Sequence, residues 1–410
     1  MGIKEKKRQF SGKASLYALL ALILAASFLF DNTVAAAIKN SQNSLIAGYM
    51  QQFNLFFAPI YAILFLITIA ATLKDGKQSG KRTAITMLLS VVASVGIVYF
   101  IKFIIQRARP DGGMLNLPFG VPDYSFPSSH AAITAAAAQS APATTGLQRL
   151  LKYAWLVFTA TTIFSRVYLN FHFLSDTIAG LLLATVISDF IKQRMKEKLT
   201  FDDGVELTRQ AMHLLFGLLL ALFAAKHELA WLAMLATAAA GLAVSYIIKN
   251  AAATKNAILR AARRITAGAM RLVERKEELQ KFPGKGAIML FLGAGVTAAL
   301  FRNEAAAAII ILAAGDSFSH VFGRLAGRRR HKWPFAEEKT AEGSVAGFVF
   351  ASAAAATILP GWIAIAGAAA GMIAEALNVR VLGRKIDDNV TVPLAAAAVI
   401  WSVTHISYGV

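Results

Sequence analysis

The chain has 410 residues, of which 57% are apolar and 16% are charged, and its mean hydropathy is +0.55. Soluble domains carry about 25% charged residues, so this composition excludes an ordinary soluble protein. The formal charge of +19 lies mostly in short segments between apolar runs, which is the positive-inside pattern of membrane proteins. We therefore expect no nucleic-acid partner. The chain has no cysteine, which excludes disulfides and thiolate metal sites.

Apolar runs near 20 residues recur along the whole chain and predict an all-α, polytopic membrane protein with about 13 transmembrane helices. The first run follows the basic segment Lys4–Arg8 and could pass for a signal peptide. Its length and the many later runs favour a first membrane helix, with the N-terminus in the cytoplasm. The predicted spans are 15–31, 54–73, 83–105, 128–143, 152–169, 173–191, 210–226, 229–248, 285–301, 304–322, 343–359, 361–378 and 391–408.

The polar stretch Gln193–Glu206 predicts a boundary between two helical-bundle domains. The first would cover 1–195 with six helices, and the second would cover 205–410 with seven. The long loop 249–284 alternates basic and apolar residues, which fits either a helix on anionic lipid headgroups or an ordinary solvated helix.

Three motifs in the first half combine cations, hydroxyls and histidines at the ends of predicted helices. Arginine forks and a lysine ammonium bind phosphate oxygens, and two serines with their backbone N–H groups at a helix start add donors. The alternation of basic loops places these motifs on the outer face. The motifs read K-x6-R-P, P-S-S-H and S-R-x5-H-x3-D, and their candidate phosphate ligands are Lys102, Arg109, Ser128, Ser129 and Arg166.

Two histidines in these motifs are the candidates for catalysis. His172 is the candidate nucleophile, which must be neutral to attack, and Asp176, one helical turn on, can fix its tautomer. His130 is the candidate general acid and must start protonated.

These motifs make residues 80–190 resemble the type 2 phosphatidic acid phosphatase (PAP2) superfamily. The resemblance implies the same roles for His172, His130 and Asp176, with a phosphohistidine intermediate and no metal. The commonest second motif of the family has Gly where this chain has Ser129. The expected substrates are membrane lipid phosphates or diphosphates.

In the second half, ionisable residues interrupt apolar runs at what the basic-loop pattern predicts to be the cytoplasmic face. Such residues in membrane segments are functional candidates. Carboxylates there could hold Mg²⁺, and Lys339, Arg324 and the Gly343-Ser344 turn could hold a triphosphate.

This half resembles the CTP-dependent polyprenol, phytol and dolichol kinases, a family that includes CTP-dependent diacylglycerol kinase. The strongest parts are G-D…G-R…G…E-K-T-x-E-G-S and D-D-N-x-T-V-P. The resemblance implies CTP and Mg²⁺ as cofactors, with Arg209 and His213 as accessory residues. The implied nucleotide ligands are Arg324, Lys339, Thr340, Gly343, Ser344 and Asn389, and the implied metal ligands are Asp316, Glu342, Asp387 and Asp388.

The sequence thus predicts a bifunctional lipid enzyme: an outward-facing phosphatase joined to an inward-facing kinase of a lipid alcohol. Its motifs do not separate polyprenyl from diacylglycerol lipids. Phosphatidate cytidylyltransferase-like chemistry and a degenerate regulatory second half are the alternatives. A transporter is disfavoured because we find no inverted repeat.

Overall fold

The structure is a computed structural model that describes residues 3–74, 76, 78–112, 115–116, 122–198, 202–250, 282–332, 334–377, 379–381 and 384–408. The chain divides into two compact units, Met1–Lys198 and Leu199–Val410. The described residues form fourteen α-helices and two two-stranded antiparallel hairpins, so the predicted all-α class is confirmed. Most of the loop 249–284, where we expected a helix, lies outside the described residues.

The first unit contains seven helices and one short hairpin, β1–β2. Helix α5 is rich in alanine and is buried nearly all around, so α4 and α7 pack closely against it. On the other side of α5, an aromatic group from α3 and α6 surrounds Trp155, whose indole N–H donates to Thr68 Oγ1 at 3.0 Å. The elements are α1 Ile3–Ser41, α2 Ser44–Leu55, α3 Phe57–Leu73, α4 Gln78–Ile105, β1 Leu115–Asn116, β2 Pro122–Asp123, α5 Ser129–Ser140, α6 Gly146–Tyr168 and α7 Leu174–Lys198.

The second unit is built around α11, whose residues Ile309, Ile311 and Leu312 are fully buried. Helices α8, α12, α13 and α14 pack against it, and α9 packs against α10. The elements are α8 Asp202–Lys226, α9 Ala230–Asn250, α10 Lys285–Leu300, α11 Ala305–Ala326, α12 Ala341–Ala355, α13 Gly361–Ala376, β3 Arg380–Val381, β4 Arg384–Lys385 and α14 Asp388–Tyr408.

The prediction of about 13 spans is wrong. Within the described residues, six helices are long and apolar enough to cross a membrane, and the bent pair α2–α3 makes up to seven. Helices α10, α12 and α13 have 15 or 16 residues, about 24 Å at most, whereas a bilayer core is about 30 Å thick. The six are Tyr17–Ser41, Gln78–Ile105, Leu174–Lys196, Glu206–Lys226, Ala305–Ala326 and Asp388–Ile406.

The end of the first predicted span at residue 31 and the start of the second at residue 54 are also wrong. Helix α1 continues without a break to Ser41, and α2 begins at Ser44. Asp31 therefore lies inside a helix, and the predicted span at 128–143 is the 12-residue helix α5.

Candidate functional site

His172 lies in the turn between α6 and α7 of the first unit. Asn170 adopts a left-handed conformation with φ 55°, which asparagine tolerates better than most residues. The backbone N–H of Phe171 then donates to the carbonyl of Arg166 at 3.0 Å, and that of Asn170 to Val167 at 3.0 Å. This is a Schellman ending of the helix, and it fixes the chain directly before His172.

His172 lies beside the carboxylate of Asp176, as the four-residue spacing predicted. His172 Nδ1 is 3.5 Å from Asp176 Oδ2, and both side chains are buried. Asp176 Oδ2 also accepts the backbone N–H of Phe173 at 2.8 Å and the hydroxyl of Ser125. The carboxylate is therefore held firmly, and the Nε2 side of the ring is the one turned away from it.

Two of the three motif cations share a carboxylate partner that the sequence analysis missed. Lys102 Nζ is 2.7 Å from Asp123 Oδ1 and also donates to the carbonyl of Tyr124. Arg109 NH2 is 3.0 Å from Asp123 Oδ2, and its NH1 donates to the carbonyl of Phe171 at 2.7 Å. Asp123 thus compensates two buried positive charges.

The side chains of Arg166 and His130 have fewer hydrogen-bond partners than those of Lys102 and Arg109. The guanidinium of Arg166 is 5.7 Å from the ring centroid of Phe57, and the His130 ring packs at 4.7 Å against the same phenyl ring. Among the described residues, Arg166 Nε and His130 Nδ1 are buried without a hydrogen-bond partner. Buried polar atoms normally have partners, so these two mark a place for a polar ligand.

The predicted serines stand at the start of α5. Ser128 is the N-cap residue of this helix, and its backbone N–H donates to the carbonyl of Asp176 at 2.9 Å. Ser129, the first residue of the helix, is buried. The starts of α5 and α7 are therefore tied together beside His172.

The electrostatics of the site favour neutral histidines in the absence of an anion. Burial lowers the pKa of His172 to about 4, the hydrogen bond to Asp176 opposes this shift, and Lys102 and Arg109 add to it. Burial, then the charges of Arg166, His172, Lys102 and Arg109, lowers the pKa of His130 well below its usual value. The predicted cations and both histidines are thus close enough to act on one another.

Four residues of this site were missed by the sequence analysis. Asp123 and Ser125 lie four and two residues before the proline of P-S-S-H, and Arg107 lies within the spacer of K-x6-R-P. Asp31 is 2% exposed in α1, and its carboxylate pairs with Arg107 NH2 at 2.7 Å. A lone acid beside an apolar run was the available signal for Asp31.

The second unit contains a separate polar cluster formed by α11, α13, the start of α14 and the loop before α12. Lys339 Nζ is 2.5 Å from Glu375 Oε1 and 3.1 Å from Asp388 Oδ2, and His320 Nδ1 is 3.0 Å from Asp316 Oδ1. Burial alone would lower the pKa of Lys339, but the surrounding carboxylates raise it above its usual range. The structure therefore brings the predicted residues Asp316, Lys339 and Asp388 together.

The ligand atoms of Asp316, His320 and Glu375 lie within 4.8 Å of one another. Glu375 Oε2 is buried without a hydrogen-bond partner among the described residues, and Asp316 Oδ1 has the ion-pair contact with His320 Nδ1. Two further predicted residues join this cluster, because His213 Nε2 is 2.8 Å from Asn389 Oδ1 and His213 Nδ1 is 3.6 Å from Asp316 Oδ2. Glu375 and His320 were not among the predicted ligands.

The structure gives other partners to several predicted nucleotide and metal ligands. Thr340 caps α12, and a Cβ added at Gly343 would be 2.6 Å from the carbonyl of Ser319, so this glycine serves close helix packing. The remaining contacts are Ser344 Oγ with His331 Nε2 at 3.0 Å, Glu342 Oε2 with the backbone N–H groups of Arg328 and Arg329, Asp387 with Lys285 at 3.1 Å, Arg324 with Glu206 at 3.9 Å, and Arg209 with Glu206 at 2.7 Å.

A model of the PAP2 superfamily matches residues 83–199, which include all three motifs of the first half. The chain is also similar to the first transmembrane PAP2 type phosphatidylglycerolphosphate phosphatase from Bacillus subtilis, known from a crystal structure. The identity is 21% over 46% of this chain and 98% of that chain, with a TM-score of 0.37. The family model ends at residue 199, where the second unit begins, and the kinase resemblance of that unit stays a prediction. With its long apolar helices and this matched segment, the chain is a multi-pass membrane protein that contains a PAP2 superfamily domain over residues 83–199.

Proposed function

We propose that the first unit removes phosphate from a membrane lipid phosphate or diphosphate through a phosphorylated His172. The observation that carries this proposal is a pair of buried nitrogens, Arg166 Nε and His130 Nδ1, that have no hydrogen-bond partner among the described residues and lie among cations beside a carboxylate-held histidine. An anion with several oxygens satisfies all of these groups at once. Phosphoryl transfer requires mainly such positioning and positive charge.

In the first step, His172 Nε2 attacks phosphorus while Asp176 holds the proton on Nδ1. The bond between phosphorus and the lipid oxygen breaks, and His130 donates a proton to that oxygen. Bound phosphate would offset the neighbouring cations, which allows His130 to take up this proton. In the second step, water attacks the phosphohistidine, His130 accepts a proton from it, and inorganic phosphate leaves with His172 restored.

The test is a phosphoenzyme trap with the purified full-length protein and ³²P-labelled phosphatidic acid in mixed micelles. We expect an acid-labile, base-stable label that is absent in His172→Ala, and phosphate release that persists in EDTA. Lys39→Ala, an exposed change at the end of α1, serves as the control. Full activity in His172→Ala would remove the mechanism.

We further propose that the phosphatase motifs face the outside of the cell. The support is the alternation of basic loops along the chain. Basic residues are typical of cytoplasmic loops, and the basic segments Lys74–Arg82 and Arg149–Lys152 alternate with the segments that carry the motifs.

For the second unit we propose a CTP-dependent kinase of a lipid alcohol. The convergence of Asp316, Glu375, Lys339 and Asp388 in one buried cluster favours it over a purely structural role. Carboxylate oxygens suit Mg²⁺, and Asp316 and Glu375, whose Oε2 has no hydrogen-bond partner among the described residues, would hold it. When bound, Mg²⁺ would neutralise charge on the nucleotide phosphates.

In this proposal, the chain's own residues bind and orient the reactants. Lys339 would exchange a carboxylate partner for a nucleotide phosphate, and Asp388 would be freed in the same exchange. The test is lipid mass spectrometry after incubation with CTP, Mg²⁺ and a panel of lipid alcohols. We expect a lipid phosphate that disappears in Asp316→Asn and Glu375→Gln while the phosphatase persists. A cytidyl-containing product would support the cytidylyltransferase alternative, and no product with any lipid would support a degenerate module.

A further inference from the structure

Asp31 is a buried carboxylate in the interior of helix α1. Its Oδ2 accepts from Arg107 NH2 at 2.7 Å and from the Ser175 hydroxyl at 2.5 Å, and its Oδ1 accepts the backbone N–H of Ser175 at 3.0 Å. Ser175 lies in the first turn of α7, where backbone N–H groups have no partner within the helix. Asp31 therefore caps α7 from another helix and pairs with Arg107 at the same time.

Arg107 extends this contact to the catalytic carboxylate. Its NH1 donates to Asp176 Oδ1 at 2.8 Å and to Ser175 Oγ at 2.7 Å. Its guanidinium lies 4.1 Å from the ring centroid of Phe173 and 5.2 Å from that of Phe28. Both terminal nitrogens are engaged and two rings lie close to the guanidinium, so Arg107 does not serve as a further phosphate ligand.

We propose that Asp31 and Arg107 are positioning residues, which hold the carboxylate of Asp176, and through it the imidazole of His172, in the geometry that phosphate transfer requires. This inference rests on the proposed function of His172. Helix α1 lies outside the matched segment 83–199, so the site would be incomplete without a helix that precedes this segment.

The charges explain why both residues are needed. Asp176 must leave one oxygen and its negative charge to His172, which becomes positive when it is phosphorylated. Asp31 neutralises Arg107, so Arg107 can orient Asp176 without cancelling that charge. If Asp31 is lost, Arg107 pairs with Asp176 alone and competes with His172 for it. If Arg107 is lost, two buried carboxylates face each other with no cation between them.

The experiment measures kcat and KM for phosphatidic acid in mixed micelles with the purified full-length protein. We expect Asp31→Asn and Arg107→Ala to lower kcat by about 10–100-fold, the usual effect of removing an outer-shell partner. KM should change less than about threefold, because neither residue contacts the phosphate. Arg107→Lys, which restores the charge without the fork, should be at least about threefold faster than Arg107→Ala. The double variant should be no slower than Arg107→Ala, because the two residues act as one unit.

The chain offers a matched control in a second contact between the same two helices. Tyr17 donates to Asp189 Oδ2 at 2.7 Å, about 20 Å along the helices from the Asp31 contact. Tyr17→Phe and Asp189→Asn should keep kcat within about twofold if only the site contact matters. Thermal unfolding in the same micelles identifies variants that do not fold. If Arg107→Ala is among them, Asp31→Asn and Arg107→Lys decide the matter.

The outcomes separate the two proposals. Activity in His172→Ala would overturn the proposed function. An inactive His172→Ala together with parental kcat in Asp31→Asn and Arg107→Lys would overturn this inference alone. A loss of kcat in Tyr17→Phe as large as that in Asp31→Asn would also overturn it, since docking of α1 would then be the whole effect. A change confined to KM would assign these residues to substrate binding instead.

Discussion

Gly180 is the position where a single methyl group should disturb the phosphatase site most directly. This glycine lies on α7 where the helix crosses the start of α5. A Cβ added there would be 2.5 Å from the carbonyl oxygen of Ser128 and 3.2 Å from the Cβ of Ala131. Ordinary contact begins near 3.4 Å, so the start of α5 must move by about 0.9 Å in Gly180→Ala.

That movement strains the hydrogen bond that joins the two helix starts. The backbone N–H of Ser128 donates to the carbonyl of Asp176, so a shift of Ser128 changes the distance between His130 and His172. A misplacement of about 1 Å in a catalytic constellation costs about 100-fold in rate. Overpacking itself costs about 1–3 kcal/mol of stability. We therefore expect kcat to fall by about 10–100-fold while the protein still folds.

The assay is phosphate release from phosphatidic acid in mixed micelles, with thermal unfolding measured on the same preparation. Gly146→Ala is the matched control, because Gly146 begins α6 in the same unit and no atom lies within 4 Å of its added Cβ. Its kcat should stay within about twofold of the parent. A parental kcat in Gly180→Ala would refute the reasoning, because it would show that the two helix starts need not be held at this distance.

Three further predictions concern the same unit. The pKa of His172 is lowered from the usual 6.5 to about 4, so this histidine is a neutral nucleophile above pH 4 and becomes protonated as the pH falls through 4. The rate of phosphate release should therefore fall on the acid side near pH 4. A fall near pH 6.5 would contradict this prediction. Asn170→Val should lower stability by about 1–3 kcal/mol in thermal unfolding, whereas Asn170→Gly should not, because the position has φ 55°. In intact cells, an impermeant thiol reagent should label Gly112→Cys and not Lys74→Cys, which lies at the other end of the candidate span Gln78–Ile105, and the reverse pattern would overturn the outward orientation of the motifs.

The proximity of the candidate catalytic residues His172 and Asp176 could be predicted because their spacing is local in sequence. The spacing of His172 and Asp176 puts them one turn apart whatever the rest of the fold does. Asp31 and Arg107 are 76 positions apart, and nothing in the sequence says that α1 passes the start of α7. Contacts of that kind depend on tertiary packing, and no periodic pattern in a single sequence predicts them.

The count of spans failed for a related reason. Hydropathy measures how apolar a run is, and helices buried within a helical bundle are as apolar as helices that face lipid. Helix α5 has 12 residues, nine of them buried within the unit, so its alanines serve close packing rather than crossing. Helix length separates helices that are buried in a bundle from helices that face lipid, but the ends of a helix are what sequence reasoning predicts least accurately.

The predicted ligands of the second unit fall into two groups, which the sequence did not distinguish. Asp316 and Lys339 belong to the buried cluster, whereas Thr340 and Gly343, from the same motif as Lys339, stabilise the start and the packing of α12. A motif can be a signature of a family because it folds a turn as well as because it binds a ligand. The sequence alone does not distinguish these two causes.

Asp123 already pairs with Lys102 and Arg109, so we expect phosphate to bind by replacing this carboxylate as the partner of the two cations. Lys102 and Arg109 are almost fully buried, and without a carboxylate between them their positive charges would be costly in the interior. We expect Asp123→Asn to lose about 1–3 kcal/mol of stability, because the charge of each cation then lacks its partner. Inorganic phosphate should recover that loss, so its addition should raise the thermal unfolding temperature more in Asp123→Asn than in the parent. Asp111→Asn, the same change at an exposed position of the same connecting segment, is the control. If phosphate stabilises Asp123→Asn no more than the parent, the two cations do not bind phosphate where Asp123 now lies.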